Sequence, residues 1–195
     1  MNKRVVITGM GVISPVGNSV NDFRDGIFSG KNGIDKITKF DTEGFRACLA
    51  AEVKDFDVSA YMDKNEARKL DKYTQYAIAS AMQAVSDSKI AESVSPERFG
   101  VYFGSGIGGF ETMITEHSKL LDRGPQRVSP MFIPKMIANI AAGNIAIKFG
   151  AKGPCLSIVT ACATGSSCIG EAFRAIKGGY ADAIIAGGAE ASINP

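Results

Sequence analysis

Histidine is almost absent from this chain: His117 is the only one, and the four cysteines include no Cys-x-x-Cys pair. Those scarcities exclude the common Cys/His zinc sites and a secreted disulfide framework, so no metal is expected. Long apolar runs are missing too. The basic start, Met1 to Arg4, followed by Val5 to Ile7, has the charge order of a signal peptide, but Gly9, Gly11, Pro15 and Gly17 break the apolar stretch too soon. No other segment reaches membrane-spanning length. An excess of one charge is also lacking: 22 Lys and Arg against 20 Asp and Glu leave +2, which makes no general case for nucleic acid or a membrane as partner. There is no low-complexity tract and no internal repeat.

What is present fits a single α/β unit spanning 1–195. Hydrophobic residues are 45% and charged residues 22% of the chain, enough for one substantial core in a cytoplasmic protein. Arg4 to Thr8 reads as a buried strand, and Val20, Phe23 and Ile27 have helical spacing with Gly30 as a stop. Lys39 to Asp41 and Leu49 to Val53 read as short extended pieces. Glu66 to Ser88 is the clearest helix, because Leu70, Tyr73, Ala77, Ala81 and Val85 recur on one face. Arg98 to Phe103 reads as a strand, Glu111 to Leu121 and Lys135 to Phe149 as helices, the second stopped by Gly150. Leu156 to Ala161 and Ala183 to Ala186 read as strands on either side of a helix from about Ser166 to Lys177. Continuous apolar strands separated by helices predict a mainly parallel sheet with helices on both faces.

Cys162 falls where the apolar run Leu156 to Ala161 breaks into small residues and reopens as a helix. A strand, a tight turn and a helix in that order resemble a nucleophile elbow with cysteine as the reactive residue. The helix N-terminus carries roughly half a positive charge, which favours an anionic sulfur there and could also hold an oxyanion. The residues alone leave a second reading, a small cysteine used for packing. Cys48, Cys155 and Cys168 are read as packing residues of that kind.

Gly104-Ser105-Gly106-Ile107-Gly108-Gly109 satisfies the dinucleotide pattern G-x-G-x-x-G between a strand and a helix. The acidic residue that should end a second strand about twenty positions on is instead Asp122, which follows a helical segment and precedes Arg123-Gly124-Pro125. The segment from Gly9 to Gly11 fails as well, since Ser14-Pro15 replaces the closing glycine. No nucleotide cofactor is expected.

The spacing around Cys162 carries further. Gly153, Ile158, Ala161-Cys162-Ala163-Thr164-Gly165 and Ile169 together resemble the active-site signature of the β-ketoacyl-[acyl-carrier-protein] synthases, the condensing enzymes of fatty acid and polyketide synthesis. Val5 to Gly17, Phe103 to Gly109 and Ala186-Gly187-Gly188-Ala189-Glu190 match further landmarks in the family's order. Ser129 to Pro134 followed by Ile137 is similar to the type II enzymes. The resemblance implies the thiolase-like fold, of which this chain supplies most of the first of two similar halves. It implies that Cys162 is the acyl-accepting nucleophile. Ile107 gates the acyl pocket, Ile137 lines it, and Phe132 reaches into it across a homodimer interface; from the residues alone all three read as core packing.

The two family histidines that complete condensation lie in the missing second half, and His117 matches neither; it sits in a polar helical stretch and reads as a surface residue. The resemblance therefore implies acylation of Cys162 followed by decarboxylative condensation with a malonyl carrier protein, with this chain alone unable to condense. Lys64, Arg68, Lys69 and Lys72 form one basic run, and Arg123 and Arg127 flank a Gly-Pro turn. Such runs are commonly solvated helix faces, here paired with Glu66 and Asp71. The resemblance points to Lys64, Arg68, Lys69 and Arg127 as contacts for the acidic acyl carrier protein, in its acyl and malonyl forms. A polyketide or type I ketosynthase, and a non-catalytic dimerisation partner like the chain-length factors, are the alternatives; Cys162 weighs against the last. Ending just after the final strand is expected to leave sheet edge and apolar surface uncovered.

Overall fold

The computed structural model describes residues 4–195, so Met1 to Lys3 of the basic start lie outside the described residues. In chain order the regular elements are α1 (Val20–Phe28), β1 (Asp35–Lys36), β2 (Leu49–Ala50), α2 (Lys64–Arg68), α3 (Lys72–Ser88), β3 (Phe99–Gly104) and α4 (Phe110–Arg123). They continue with α5 (Phe132–Met136), α6 (Ile140–Phe149), β4 (Cys155–Leu156), α7 (Thr164–Lys177) and β5 (Ala183–Gly188). The main sheet has the order β4-β3-β5, all parallel, with Phe99 opposite Ala183 and Val101 opposite Cys155. β1 and β2 form a separate antiparallel pair.

Every residue of β3 is buried, as a central parallel strand requires when helices cover both faces. The two-residue alternation of a strand sorts its side chains into two cores. Phe99, Val101 and Phe103, with Ala183 and Ile185 of β5, pack against Tyr73, Ala77, Ile78 and Ala81 of α3 and Ala141, Ala142 and Ile145 of α6. On the other face Tyr102, with Ile184 and Ala186, packs against Cys168, Ala172 and Ala175 of α7. Arg98 clasps the starts of β3 and β5, donating to the Asp182 carboxylate at 3.0 and 2.9 Å and to the Gly179 carbonyl at 2.8 Å.

Several expected boundaries move, each for a visible reason. The helix expected over 66–88 is two helices: Asp63 caps α2 by accepting from the Asn65 and Glu66 amides, and Asp71 caps α3 by accepting from Tyr73 N at 3.2 Å. The helix expected over 135–149 is likewise α5 and α6, parted at Ile137, whose backbone is extended. Gly150 does end α6, in the left-handed conformation that glycine adopts freely. The strand expected at Arg4 to Thr8 is not in a ladder among the described residues. Val6 and Ile7 are exposed, and the chain beyond them lies on α3, where Val12 N donates to Gln83 Oε1 at 2.9 Å. Of the two short extended pieces, Leu49–Ala50 forms a strand, paired with Asp35–Lys36, and the 39–41 stretch is in no ladder among the described residues.

Asp71 is buried and does more than cap α3: its Oδ2 accepts from the amide and hydroxyl of Thr112, at 3.0 and 2.5 Å, and so joins α3 to the first turn of α4. Asp71→Ala removes a cap and strands two buried donors, an expected loss of about 2–4 kcal/mol. Urea unfolding measures it, and a loss below about 0.5 kcal/mol, the range of an ordinary surface change, would refute the bridging role.

Candidate active site

The approach to Cys162 is built from backbone. β4 ends at Leu156, shorter than expected, and Ser157 to Thr160 run without a ladder to a 3-10 turn at Ala161–Ala163, which α7 follows directly. Cys162 is the middle residue of that turn and is exposed. Ala161 has φ 51, a left-handed conformation that costs a residue with a Cβ about 1–2 kcal/mol and marks a tightly constrained turn. Thr160 N donates to Thr164 Oγ1 at 2.9 Å, and the Thr160 and Ser167 hydroxyls lie 2.8 Å apart, tying the turn to the first turn of α7. Ala163, at the N-cap of α7, makes no side-chain cap bond, so no capping side chain occupies the helix's first amides.

Glycines let three segments meet here. A Cβ on Gly104 would stand 2.2 Å from the Ile158 carbonyl oxygen and 2.6 Å from Thr164 Cγ2, and one on Gly188 would stand 3.0 Å from Gly165 Cα. The 104–109 segment crosses the same place as a turn rather than a phosphate cradle: its Gly106 and Ile107 amides donate to the Glu190 carboxylate at 2.8 and 3.2 Å. Sequence reasoning used Glu190 only as a landmark. The signal that could have singled it out is a carboxylate just beyond a strand ending in Gly187-Gly188.

Ile107 is exposed, and its turn lies against the segment holding Ile137: Gly109 N donates to the Met136 carbonyl at 2.8 Å, and a Cβ on Gly108 would meet Ala138 N at 2.9 Å. Tyr73, its hydroxyl pushed up to about 12 by burial, donates to the Ile137 carbonyl at 2.6 Å and fixes that segment from below. Phe132 is half-buried at the start of α5, which packs on α4. His117 is exposed on α4. Of the remaining cysteines only Cys168 packs as expected, buried under α7, and burial pushes its thiol up. Cys48 and Cys155 are exposed, because they stand beside or on two-residue strands with little cover.

Lys64, Arg68 and Lys69 are exposed on and just after α2, and Arg127 is exposed in the 3-10 turn Pro125–Arg127. The expected pairing partners are engaged elsewhere: Glu66 meets Lys148 at 3.2 Å, and Asp71 is the buried bridge to Thr112. Lys64 and Lys69 border a cleft of about 700 Å³ whose apolar wall includes Met131, Pro134 and Ile147. Lys72 instead lies over the Phe56 and Tyr76 rings. Among the described residues no cluster of His, Cys, Asp and Glu could hold a metal, and no helix is long and apolar enough to cross a membrane.

The model of the β-ketoacyl synthase N-terminal domain matches residues 2–195. The 3-oxoacyl-[acyl-carrier-protein] synthase 2 of Staphylococcus aureus is 51% identical over 193 residues, 98% of this chain and 47% of its own length. Its namesake in Synechocystis is 46% identical over 194 residues, 99% of this chain and 47% of its own length. The solved ishigamide ketosynthase/chain length factor superposes with a TM-score of 0.89 at 31% identity, covering 98% of this chain and 48% of that one. The chain thus spans about half the length of the curated relatives it matches.

The segment carrying Arg127 is held by Glu116, whose buried carboxylate accepts from Lys119 Nζ at 2.6 Å and Ser129 N at 2.7 Å. The Lys119 bond, then the Ser129 amide, hold its carboxyl below the ordinary 4.5 of a glutamate. A group lowered on folding stabilises the fold above its unfolded value and loses that contribution as pH falls through its folded value. Stability of the wild type is therefore expected to drop below about pH 4.5, and Glu116→Gln to be less stable at pH 7 with a shallower acid decline. Parallel urea melts from pH 7 to pH 3 read this, and identical slopes for the two proteins would refute it.

Proposed function

We propose, from the premise that this chain belongs to the β-ketoacyl synthase family, that Cys162 accepts a fatty acyl group from a carrier-protein thioester as the first half of a chain-elongating condensation. The fold is that of the thiolase-like ketosynthases, and this chain covers about half of such an enzyme. The observation that carries the reading is the place of Cys162: an exposed thiol in a constrained turn at the uncapped start of α7. The thiolate adds to the acyl carbonyl, the oxyanion is met by backbone amides, and its collapse expels the carrier thiolate, which takes up the proton that the Cys162 thiol gave up. One thioester replaces another, so positioning and oxyanion stabilisation supply most of what the step needs. In the second half a malonyl thioester loses carbon dioxide, and the resulting enolate attacks the acyl carbonyl and releases the Cys162 thiolate.

The enolate needs polar donors, which the family's two histidines provide. His117, exposed on α4, is the one histidine of this chain, so this stretch does not condense alone. Ile107 and Ile137 border the acyl chain, and Phe132 reaches it across a homodimer interface. The whole protein works in the cytoplasm on acyl and malonyl carrier protein, the partner in the names of its 51% and 46% identical relatives. A polyketide ketosynthase is the second reading; the solved protein that is 31% identical to this chain is a ketosynthase/chain length factor. The higher identity to the fatty acid enzymes sets the order.

Incubation of the full-length protein with a fatty acyl carrier thioester is expected to add one acyl mass, lost in Cys162→Ala. Intact mass spectrometry reads this, and an unlabelled, well-folded wild type would sink the proposal. Reversing Lys64 and Lys69 to Glu is expected to weaken carrier binding about 10-fold. Wild-type binding should also weaken with salt, since exposed charges are screened over about 8 Å at physiological ionic strength. Calorimetric titration checks both, and unchanged affinity in the double variant would move the docking site elsewhere.

A further inference from the structure

We propose that Glu190 is a positioning residue for Cys162: its carboxylate pins the Ser105 to Ile107 turn onto the backbone of Ala161 and so holds the turn that presents the thiol. The inference rests on the reading of Cys162 as nucleophile and adds a residue to which that reading gives no task.

Glu190 stands two residues beyond the end of β5, and its two oxygens divide their work. Oε2 accepts from Gly106 N at 2.8 Å and Ile107 N at 3.2 Å. Oε1 accepts from the Ser105 hydroxyl at 3.2 Å and the Ser192 hydroxyl at 2.9 Å. Ser105, itself buried, accepts in turn from Gly108 N at 2.9 Å, which closes the turn from inside. Gly106 is caught between the carboxylate and the elbow: a Cβ there would lie 2.8 Å from Glu190 Oε2 and 3.6 Å from Ala161 Cα. Ala161 is the left-handed residue directly before Cys162, and a conformation of that kind persists only where its surroundings enforce it. The Glu190 anchor is thus one backbone layer away from the nucleophile, without touching it.

Shape and charge make opposite demands on variants. Glutamine has the same length: its carbonyl oxygen can receive the Gly106 and Ile107 amides while its amide NH2 donates to the Ser105 and Ser192 hydroxyl oxygens. Aspartate keeps the charge but is one methylene too short to span both sets of partners. Positioning therefore predicts acylation rates in the order wild type ≈ Glu190→Gln, then Glu190→Asp ≈ Glu190→Ala. The last two are slower by about 10- to 100-fold, the scale of a displacement on the order of 1 Å at a reacting centre.

The test is single-turnover acylation of the full-length protein by an acyl carrier thioester, followed by intact mass, with rates expressed per folded molecule from parallel circular dichroism. The loss should fall on the saturating rate and leave the half-saturating concentration in place. A wild-type rate in Glu190→Ala overturns the proposal. So does a fast Glu190→Asp beside a slow Glu190→Gln, which would assign the effect to charge. If Glu190→Ala does not fold, the Gln and Asp comparison decides alone. An adduct that vanishes in Cys162→Ala but is indifferent to Glu190 removes only this inference, whereas one that persists in Cys162→Ala removes the nucleophile assignment and this inference with it.

Discussion

Contact of bare backbone with bare backbone, at Gly104, Gly165 and Gly188, is the constraint on which the rest of the site depends. The end of β3, the end of β5 and the start of α7 approach so closely that a Cβ on Gly104 or Gly188 would overlap or crowd its neighbours. Because nothing larger fits, α7 can begin right at the sheet, and the residues before it must turn within the three-residue stretch Ala161–Ala163. The exposed thiol follows from that closeness. A looser junction would give the turn alternatives, and a turn with alternatives does not present one atom in one place.

Around this junction, carboxylates fasten the segments that the hydrophobic cores leave alone. The apolar cores hold α3, α6 and α7 to the sheet, but they do not reach the 104–109 turn or the connection after α4. Glu190 fastens the first end of that turn, Asp71 fastens the helix that follows it, and Glu116 fastens the chain beyond α4. Each accepts from at least one backbone amide, and a fixed amide is a more definite anchor than a mobile surface cation.

The sequence made legible whatever is encoded by local pattern. β3 and β5 were visible as apolar runs, α6 had its glycine stop, and the elbow was visible as a break in small residues. Less legible was whatever depends on partners far along the chain. The pattern of α3 runs back through Leu70 without interruption, and only the use of Asp71 as a cap, fixed also by Thr112 forty-one residues on, shows that the helix begins there. Arg4 to Thr8 has the composition of a strand, yet a strand is defined by its neighbour, and among the described residues these positions have none. Glu190 was named for its place in a motif. Three of its four partners, Ser105, Gly106 and Ile107, lie 83 to 85 residues away, a distance no window of spacing can cross.

The left-handed backbone at Ala161 also sets what substitution over evolutionary time can do at the residue before the thiol. Bulky or β-branched side chains are penalised there by the main chain itself, before any reaction is considered. A descendant that had exchanged Cys162 for an inert residue would remain under that penalty for as long as it kept the turn. Smallness at position 161 would then outlive the chemistry, a fossil of the architecture rather than of the activity.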